Sequence, residues 1–560
     1  MHNRTIFFAA AALGSACLVS SFTGCSSSSS SNNPGGQDSG TPVESGAVDT
    51  GTTPQDSSTG ETGAADTGTT TNPDGSTGLN CNTGTAPAGT PILASGTASV
   101  QGILGNSTVL FYDTSATTLN SVPITGGTPT SLSAYDNSGL YISGNVALWS
   151  HKPNAATATA PTWGPLSASA GGAAAKTLSL ATYQSTIGGG YIDVSSDGSL
   201  VLYMTTSGAA TSADIVVSAP DGTGAVTLVT GAVYDVDSSA GITLCSPNAR
   251  FAGNSVIVAY CPTTPTGGSQ LSSTIAQYAV TGGAPTQTFT AAGFFGFTVD
   301  NYKTPTQIAY TTAGGQYVQS LTVGSTAKLI DPLGTGGASF TSDGLSLIYY
   351  EQYGNDAGMA TGGLFRSTIA SPSPTKIVAG VFGGTLALSS DDNWLVLYET
   401  AGTSFTDMYM VNTAANSSLV TLCSTESAAF FGDPFTVDDT QVLFFCNITT
   451  SGSGYVGPFY AEKLMTGATK TTVAAADVWQ ENAVSAAKVL YNDHYIGGGA
   501  SDGYADIESV DLSASPLAPT TVVSHADANY FLSADRTKLI YSFSSCPNLG
   551  TAGIYVIAAP

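Results

Sequence analysis

A short apolar run ending in an aromatic ring recurs along this chain. It first appears as Val109-Leu-Phe-Tyr112 and last as Leu539-Ile-Tyr541, with Leu200-Val-Leu-Tyr203, Leu347-Ile-Tyr-Tyr350 and Leu395-Val-Leu-Tyr398 among the copies between. Ten copies follow one another at a mean step of about 48 residues, which is the length of chain a four-stranded sheet with three turns consumes. Many copies are preceded by a polar turn, as in Ser195-Ser-Asp-Gly198, Thr341-Ser-Asp-Gly344, Ser389-Ser-Asp-Asp392, Thr436-Val-Asp-Asp439 and Ser533-Ala-Asp-Arg536. Asp-Gly and Asp-Asp tolerate positive φ and so suit a tight hairpin. The stretch before the turn is often glycine-rich (Gly188–Gly190, Gly336-Gly337, Gly383-Gly384), as an inner strand crowded against a hub would be. A third strand follows a variable loop, as in Asp214-Ile-Val-Val-Ser218 or Asp506-Ile-Glu-Ser-Val510, and a fourth follows a Gly/Pro turn.

These units predict an all-β fold: a β-propeller of about eight to ten four-stranded blades over residues 88–560. Ten exceeds the usual four to eight blades, so two smaller propellers are the alternative, and tandem β-sandwiches a more distant one. A single ring is favoured because no linker-like composition interrupts residues 90–560. The last unit reaches only its third strand, so the segment Thr90-Pro-Ile-Leu-Ala94 is expected to supply the missing outer strand and close the ring. The turn, the apolar strand with its terminal aromatic and the Asp-Ile-Tyr-type third strand together resemble the TolB-like propeller repeats of bacterial periplasmic proteins. That resemblance implies a scaffold built for binding. Copies at Cys245–Asn248, Val299–Asn301 and Ala483–Ala486 depart from the pattern.

Residues 1–24 read as a secretory signal, with a single Arg4 before the apolar run Ile6–Val19. The run is too short to anchor the chain by spanning a bilayer. Phe22-Thr-Gly-Cys25 resembles a bacterial lipobox, which implies lipidation of Cys25. With Ser26 next, it also implies an outer-membrane lipoprotein facing the periplasm or the cell surface. Residues 25–87 are Ser, Thr, Gly, Asp, Asn and Pro with almost no large apolar side chain, so a disordered acidic tether is expected. A coil of that length spans roughly 45 Å root-mean-square.

Charge narrows the partners. The chain carries 13 Lys+Arg against 38 Asp+Glu, a net charge of -25, which excludes a nucleic-acid backbone as ligand. Six cysteines beyond Cys17 and Cys25 suit disulfides in an oxidising compartment: Cys245 with Cys261, Cys423 with Cys446, and Cys81 with Cys546.

No nucleophile elbow, zinc-protease helix, phosphate loop or paired Cys-x-x-Cys occurs, and His151, His494 and His525 fall in different units. No catalytic residue, metal ligand or cofactor is therefore assigned. Asp235-Val-Asp237 is a weak calcium-like string, better read as a turn. Phe294–Asp300 and Phe430–Asp438 read as blade-packing aromatics. The one candidate binding loop is Asp493–Tyr504, with Asp493, His494, Asp502 and Tyr504 mixing a base, acids and a ring. The expected function is a non-catalytic, lipid-anchored, monomeric scaffold that binds a protein or glycan at the envelope. The alternative is a propeller hydrolase or lyase acting on envelope or extracellular polysaccharide or peptide.

Overall fold

The computed structural model describes residues 85–560 apart from 136–138, 151–162, 184–191, 207–211, 234, 238–241, 246, 263–271, 293–296, 301–304, 313, 352–361, 381, 402–403, 425–427, 431, 452–453, 497–502, 528, 545 and 547. The described residues form strands and turns with no helix. The strands make ten antiparallel blades, each built on four strands in sequential order: 98–134, 140–183, 193–233, 248–292, 297–331, 334–379, 382–423, 428–478, 481–527 and 530–558. Blade 8 adds a short fifth strand, Thr449–Ser451. First strands lie against the first strands of the neighbouring blades, as Ala98–Leu104 does against Leu140–Ser143 and against Tyr530–Leu532 of blade 10. They therefore ring an axis from which the sheets radiate.

Blade 10 takes its fourth strand from the start of the domain. Pro91–Ala94 pairs antiparallel with Gly553–Ala558, Leu93 facing Ile554 and Ala94 facing Gly553. The Ser95 N–H donates to the Ala552 carbonyl, and the Val100 N–H of blade 1 donates to Ser542 Oγ of blade 10. One ring of ten blades is closed in this way, and the two-propeller and sandwich alternatives fall.

What holds the ring is visible in the second strands. Because a strand alternates its side chains between its two faces, a blade covered on both sides must be apolar at every position. In blade 6, Leu347 and Tyr349 pack against blade 5, while Ile348 and Tyr350 pack against blade 7. In blade 7, Leu395 and Leu397 face back to blade 6, and Val396 faces blade 8. Ten such clusters occur, one between each pair of neighbours, including Ile540 and Ile554 of blade 10 with Val100, Val109 and Phe111 of blade 1. Burying one such side chain contributes about 2 kcal/mol. The aromatics at Phe297, Phe430 and Phe435 lie in two of these clusters, as packing residues. A disulfide joins Cys423 in the fourth strand of blade 7 to Cys446 in the second strand of blade 8. Cys261 and Cys546 are also disulfide-bonded, to partners outside the described side chains.

The repeated polar turn is a hydrogen-bond device. Ser195 Oγ donates to Asp197 Oδ1 (2.7 Å), Oδ1 accepts the Ser199 N–H (3.0 Å), and Ser195 Oγ accepts the Leu200 N–H (2.9 Å). The same three bonds recur around Thr341 and Asp343, Ser389 and Asp391, Thr436 and Asp438, and Ser533 and Asp535. The next residue always has positive φ: Gly198 72°, Gly344 69°, Asp392 60°, Asp439 53° and Arg536 56°. Where that residue is Asp it also latches the previous blade. Asp392 Oδ2 accepts the N–H and the hydroxyl of Ser342, and Asp439 Oδ2 accepts both from Ser390.

Donors aimed at a carboxylate favour its charged form. The Ser199 N–H, with the Ser195 and Ser199 hydroxyls, pulls Asp197 down to about 2. Thr341 does the same in direction for Asp343, and Ser533 for Asp535. Burial pushes Asp391 and Asp438 upward, but their hydroxyl and N–H donors outweigh it and both end below the usual range. A depressed folded-state pKa means stability that is complete above the unfolded value and lost as pH falls through the folded value. The share of stability these five turn carboxylates contribute is therefore expected to hold constant down to about pH 4 and to drop between there and about pH 2, whereas Glu462, which burial pushes up to about 7, adds stability as pH falls from 7 toward 4. Asp197→Asn should flatten part of that drop, and an unchanged acid slope in the variant would refute the assignment.

Candidate functional site

Four antiparallel strands in sequence place their connections alternately at two ends. First-to-second and third-to-fourth turns share one face of the ring, while second-to-third and fourth-to-next-first connections share the other. The third-to-fourth connections are similar in length from blade to blade, as in 171–175, 219–225 and 464–470. The second-to-third connections range from the two residues 313–314 to 151–162 and 261–271. The longest connections, 151–162 and 234–247, lie on that second face, and long loops on a regular frame commonly carry function.

On that face, blade 9 holds the one described cluster of histidines and acids. Its second strand runs Lys488–Ile496, its third Tyr504–Asp511 and its fourth Thr520–Asp527. Asp493 and His494 thus belong to the second strand rather than to a loop, and only 497–502 separates that strand from Gly503 and Tyr504. Register places Asp493 opposite Asp506 and Tyr491 opposite Glu508. Cross-strand partners share a face, and Tyr491 packs toward blade 8, so all three carboxylates look toward that blade. A bulge follows Asp493, with His494 at φ 56°, and swings the imidazole into solvent. His494 Nδ1 lies 3.4 Å from Asp506 Oδ2, with the histidine side chain 73% exposed and the aspartate 25%.

The remaining bonds fix the acids. Asp506 Oδ1 accepts the His525 N–H (2.9 Å), Asp493 Oδ1 accepts the His494 N–H (2.9 Å), and Glu508 Oε1 accepts the Thr521 hydroxyl (2.7 Å). Burial raises the pKa of Asp493, His494 opposes it, and the charges of Asp506 and Asp477 add to it. Burial also raises Glu508, against the pull of the Thr521 hydrogen bond, with Asp493 and Asp506 pushing the same way as burial. Beside them Trp479, in the connection from blade 8, stacks on Tyr495 at 5.1 Å and 13°, over Val456 and Ala505. Tyr504 is half-buried at the head of the third strand. The result is an exposed imidazole paired with a carboxylate, next to an aromatic shelf. Such a rim suits a ligand rich in hydroxyls or cationic groups.

Of the residues read from sequence, Asp493, His494 and Tyr504 come together here. Asp502 lies outside the described residues, as do Cys25, Cys81 and His151, and the Cys245 side chain. Sequence reading missed Asp477, Trp479, Asp506 and Glu508 as members. Asp506-Ile-Glu508 carried a signal, since two acids one residue apart in a strand share a face. Asp235–Asp237 is not a turn: it forms a strand paired with Ile242–Cys245, a small extra hairpin between blades 3 and 4. Among the described residues, no group of three or more His, Cys, Asp or Glu is placed to hold a metal ion.

The hub differs from the rim. The first strands carry only three charged residues, Asp193, Arg250 and Glu481. Both acids are fully buried, and each accepts a backbone N–H from a neighbouring blade's inner segment, Phe251 for Asp193 (2.9 Å) and Gly432 for Glu481 (3.0 Å). Both acids join blades.

No family model and no curated protein sequence matches this chain. Its solved structural neighbours are distant. A eukaryotic initiation factor aligns at 10% identity over 79% of this chain and 91% of its own, with a TM-score of 0.41. An oligogalacturonate lyase in complex with manganese aligns at 12% identity over 64% and 96%, with a TM-score of 0.32. The tricorn protease aligns at 9% identity over 84% and 61%, with a TM-score of 0.27. The assignment of a ten-bladed propeller rests on the sheets themselves.

Proposed function

We propose that this protein is a non-catalytic envelope scaffold, lipidated at Cys25 and related to TolB-like propellers, that holds a protein or glycan partner on the variable-connection face. One observation carries the reading. The buried acids of the hub are engaged by neighbouring backbone, whereas the exposed histidine–acid pair and its aromatic shelf sit at the rim of blades 8 and 9. Chemistry in a propeller channel would need acids and bases free to meet a substrate at the axis. A rim cluster on a rigid blade instead offers directional contacts to a surface brought against it.

The test is affinity capture from envelope extract with the full mature chain, alongside a turnover assay on a panel of glycans and peptides. A partner is expected that the Trp479→Ala and His494→Ala variants retain at least tenfold less well. Turnover of any panel member with no partner captured would overturn the scaffold reading in favour of a propeller hydrolase or lyase.

A further inference from the structure

On the opposite face, a cleft of about 420 Å³ opens between blades 6 and 7. That is within the range of small-molecule sites, roughly 300–1,000 Å³. One wall is the outer half of blade 6, with Arg366 and Thr368 on its third strand, Thr375 directly across from Arg366 on the fourth, and Ser373 in the turn between them. The other wall is the third-to-fourth turn of blade 7, with Thr413, Ala414 and Ala415. That turn is held to blade 6 by the Asn416 and Ser417 N–H groups, which donate to the Lys376 and Ile377 carbonyls at 2.9 and 2.8 Å. The walls are therefore fixed relative to each other.

The polar groups of this cleft have a definite sense. Arg366 brings five N–H donors, of which one is directed to Thr413 Oγ1 at 3.3 Å. Among the described residues no carboxylate forms an ion pair with it. Asp343 feels its charge, but Asp343 Oδ1 is taken by the Thr341 hydroxyl and the Leu345 N–H. The hydroxyls are oriented the other way. Thr413 donates to the Asp392 carbonyl (2.7 Å), Thr368 to the Ser371 carbonyl (2.7 Å) and Thr375 to the Ser373 carbonyl (3.3 Å). With their protons turned onto backbone, the exposed Thr368 and Thr375 oxygens are left as acceptors, while Thr413 Oγ1 already takes the Arg366 N–H. A complementary ligand needs an anionic group for Arg366 and O–H donors around it.

We propose that this cleft binds an acidic sugar, a pyranose bearing a carboxylate or a sulfate ester, with Arg366 holding the anion and the threonine oxygens accepting from the ring hydroxyls. It lies on the face opposite the blade 9 cluster, so it stands or falls apart from the function proposed above.

Calorimetric titration of the full mature chain with sodium glucuronate, glucose 6-sulfate, glucose and inorganic sulfate tests this. One of the two acidic sugars is expected to bind at least tenfold more tightly than both glucose and inorganic sulfate, and which one it is identifies the acid. Arg366→Gln should weaken that binding at least tenfold with the melting temperature unchanged. Thr375→Val, which keeps the charge, should weaken the sugar and leave inorganic sulfate as before. His494→Ala, on the far face, should change nothing. Equal binding of glucose or of inorganic sulfate, full affinity in Arg366→Gln, loss in His494→Ala, or no binding of either acidic sugar would each overturn the proposal.

Discussion

Asp433→Ala is expected to lower the unfolding free energy by about 3 kcal/mol, the lower end for removing one partner of a buried ion pair. Arg536, in the first turn of blade 10, reaches past blade 9 to Asp433 of blade 8, with Nη1 2.7 Å from Oδ2, and also donates to the Ala483 carbonyl. The same Oδ2 accepts the Ala483 N–H at 3.0 Å. Three successive blades thus meet at one carboxylate. The side chains are 25% and 10% exposed, so water can screen the stranded guanidinium only partly. The cost should therefore exceed that of a surface pair, which is about 0–1 kcal/mol. Arg536→Met in the same chain is expected to recover most of the loss, because it removes the uncompensated charge while keeping the aliphatic stem. Chemical denaturation of the two single variants and the double variant gives the coupling. Additive single losses would show that the pair does not act as a unit.

Replacing Pro91–Ala94 by Gly-Ser-Gly-Ser should have a comparable thermodynamic cost and a larger effect on solution behaviour. The replacement removes Ile92 and Leu93 from the cluster shared by blades 10 and 1, where they pack near Ile554 and Val556. Two partly buried aliphatic side chains contribute about 3 kcal/mol together. It also bares the outer strand Gly553–Ala558, whose Gly553 sits so close to the Leu93 carbonyl that a Cβ there would lie 2.2 Å from it. An open apolar edge is a template for another chain. The variant is expected to melt several degrees lower and to elute as dimers and larger species, both measurable by scanning calorimetry and light scattering. A monomer with wild-type melting would mean that this segment does not close the ring.

That closure was legible in the letters because it follows from counting strands. The unit at residues 530–560 shows three, and Pro91–Ala94 precedes the first full unit. The period was legible for the same reason, since each apolar second strand must face two neighbours and is marked on every residue. Blade number stays between eight and ten in the sequence because ten units exceed the usual four to eight and those at 248–292, 297–331 and 481–527 depart from the Ser-x-Asp turn. The structure shows why they fold regardless. Blade 4 turns through Gly253 at φ 60°, and blade 5 keeps the aspartate as Asp300, which accepts the Thr306 N–H at 2.6 Å. Blade 9 turns through Ser485, whose N–H reaches the Lys488 carbonyl.

The candidate site was only half legible. Asp493 and His494 attract notice as a mixed polar stretch, but Asp506 joins them through strand register, and Asp477 and Trp479 through the packing of blade 8 on blade 9. Neither relation is written in local sequence. The cleft at Arg366 left no local mark at all, because Arg366 and Thr413 are far apart in sequence and face each other only across neighbouring blades.

Everything above depends on ten sheets radiating from one axis. Electron cryomicroscopy of the full chain, viewed down that axis, counts them directly. Ten wedges in a single closed ring are the expected result, with residues 91–94 at the outer edge of the last. Eight wedges, two separate rings, or a ring open beside Gly553–Ala558 would contradict it.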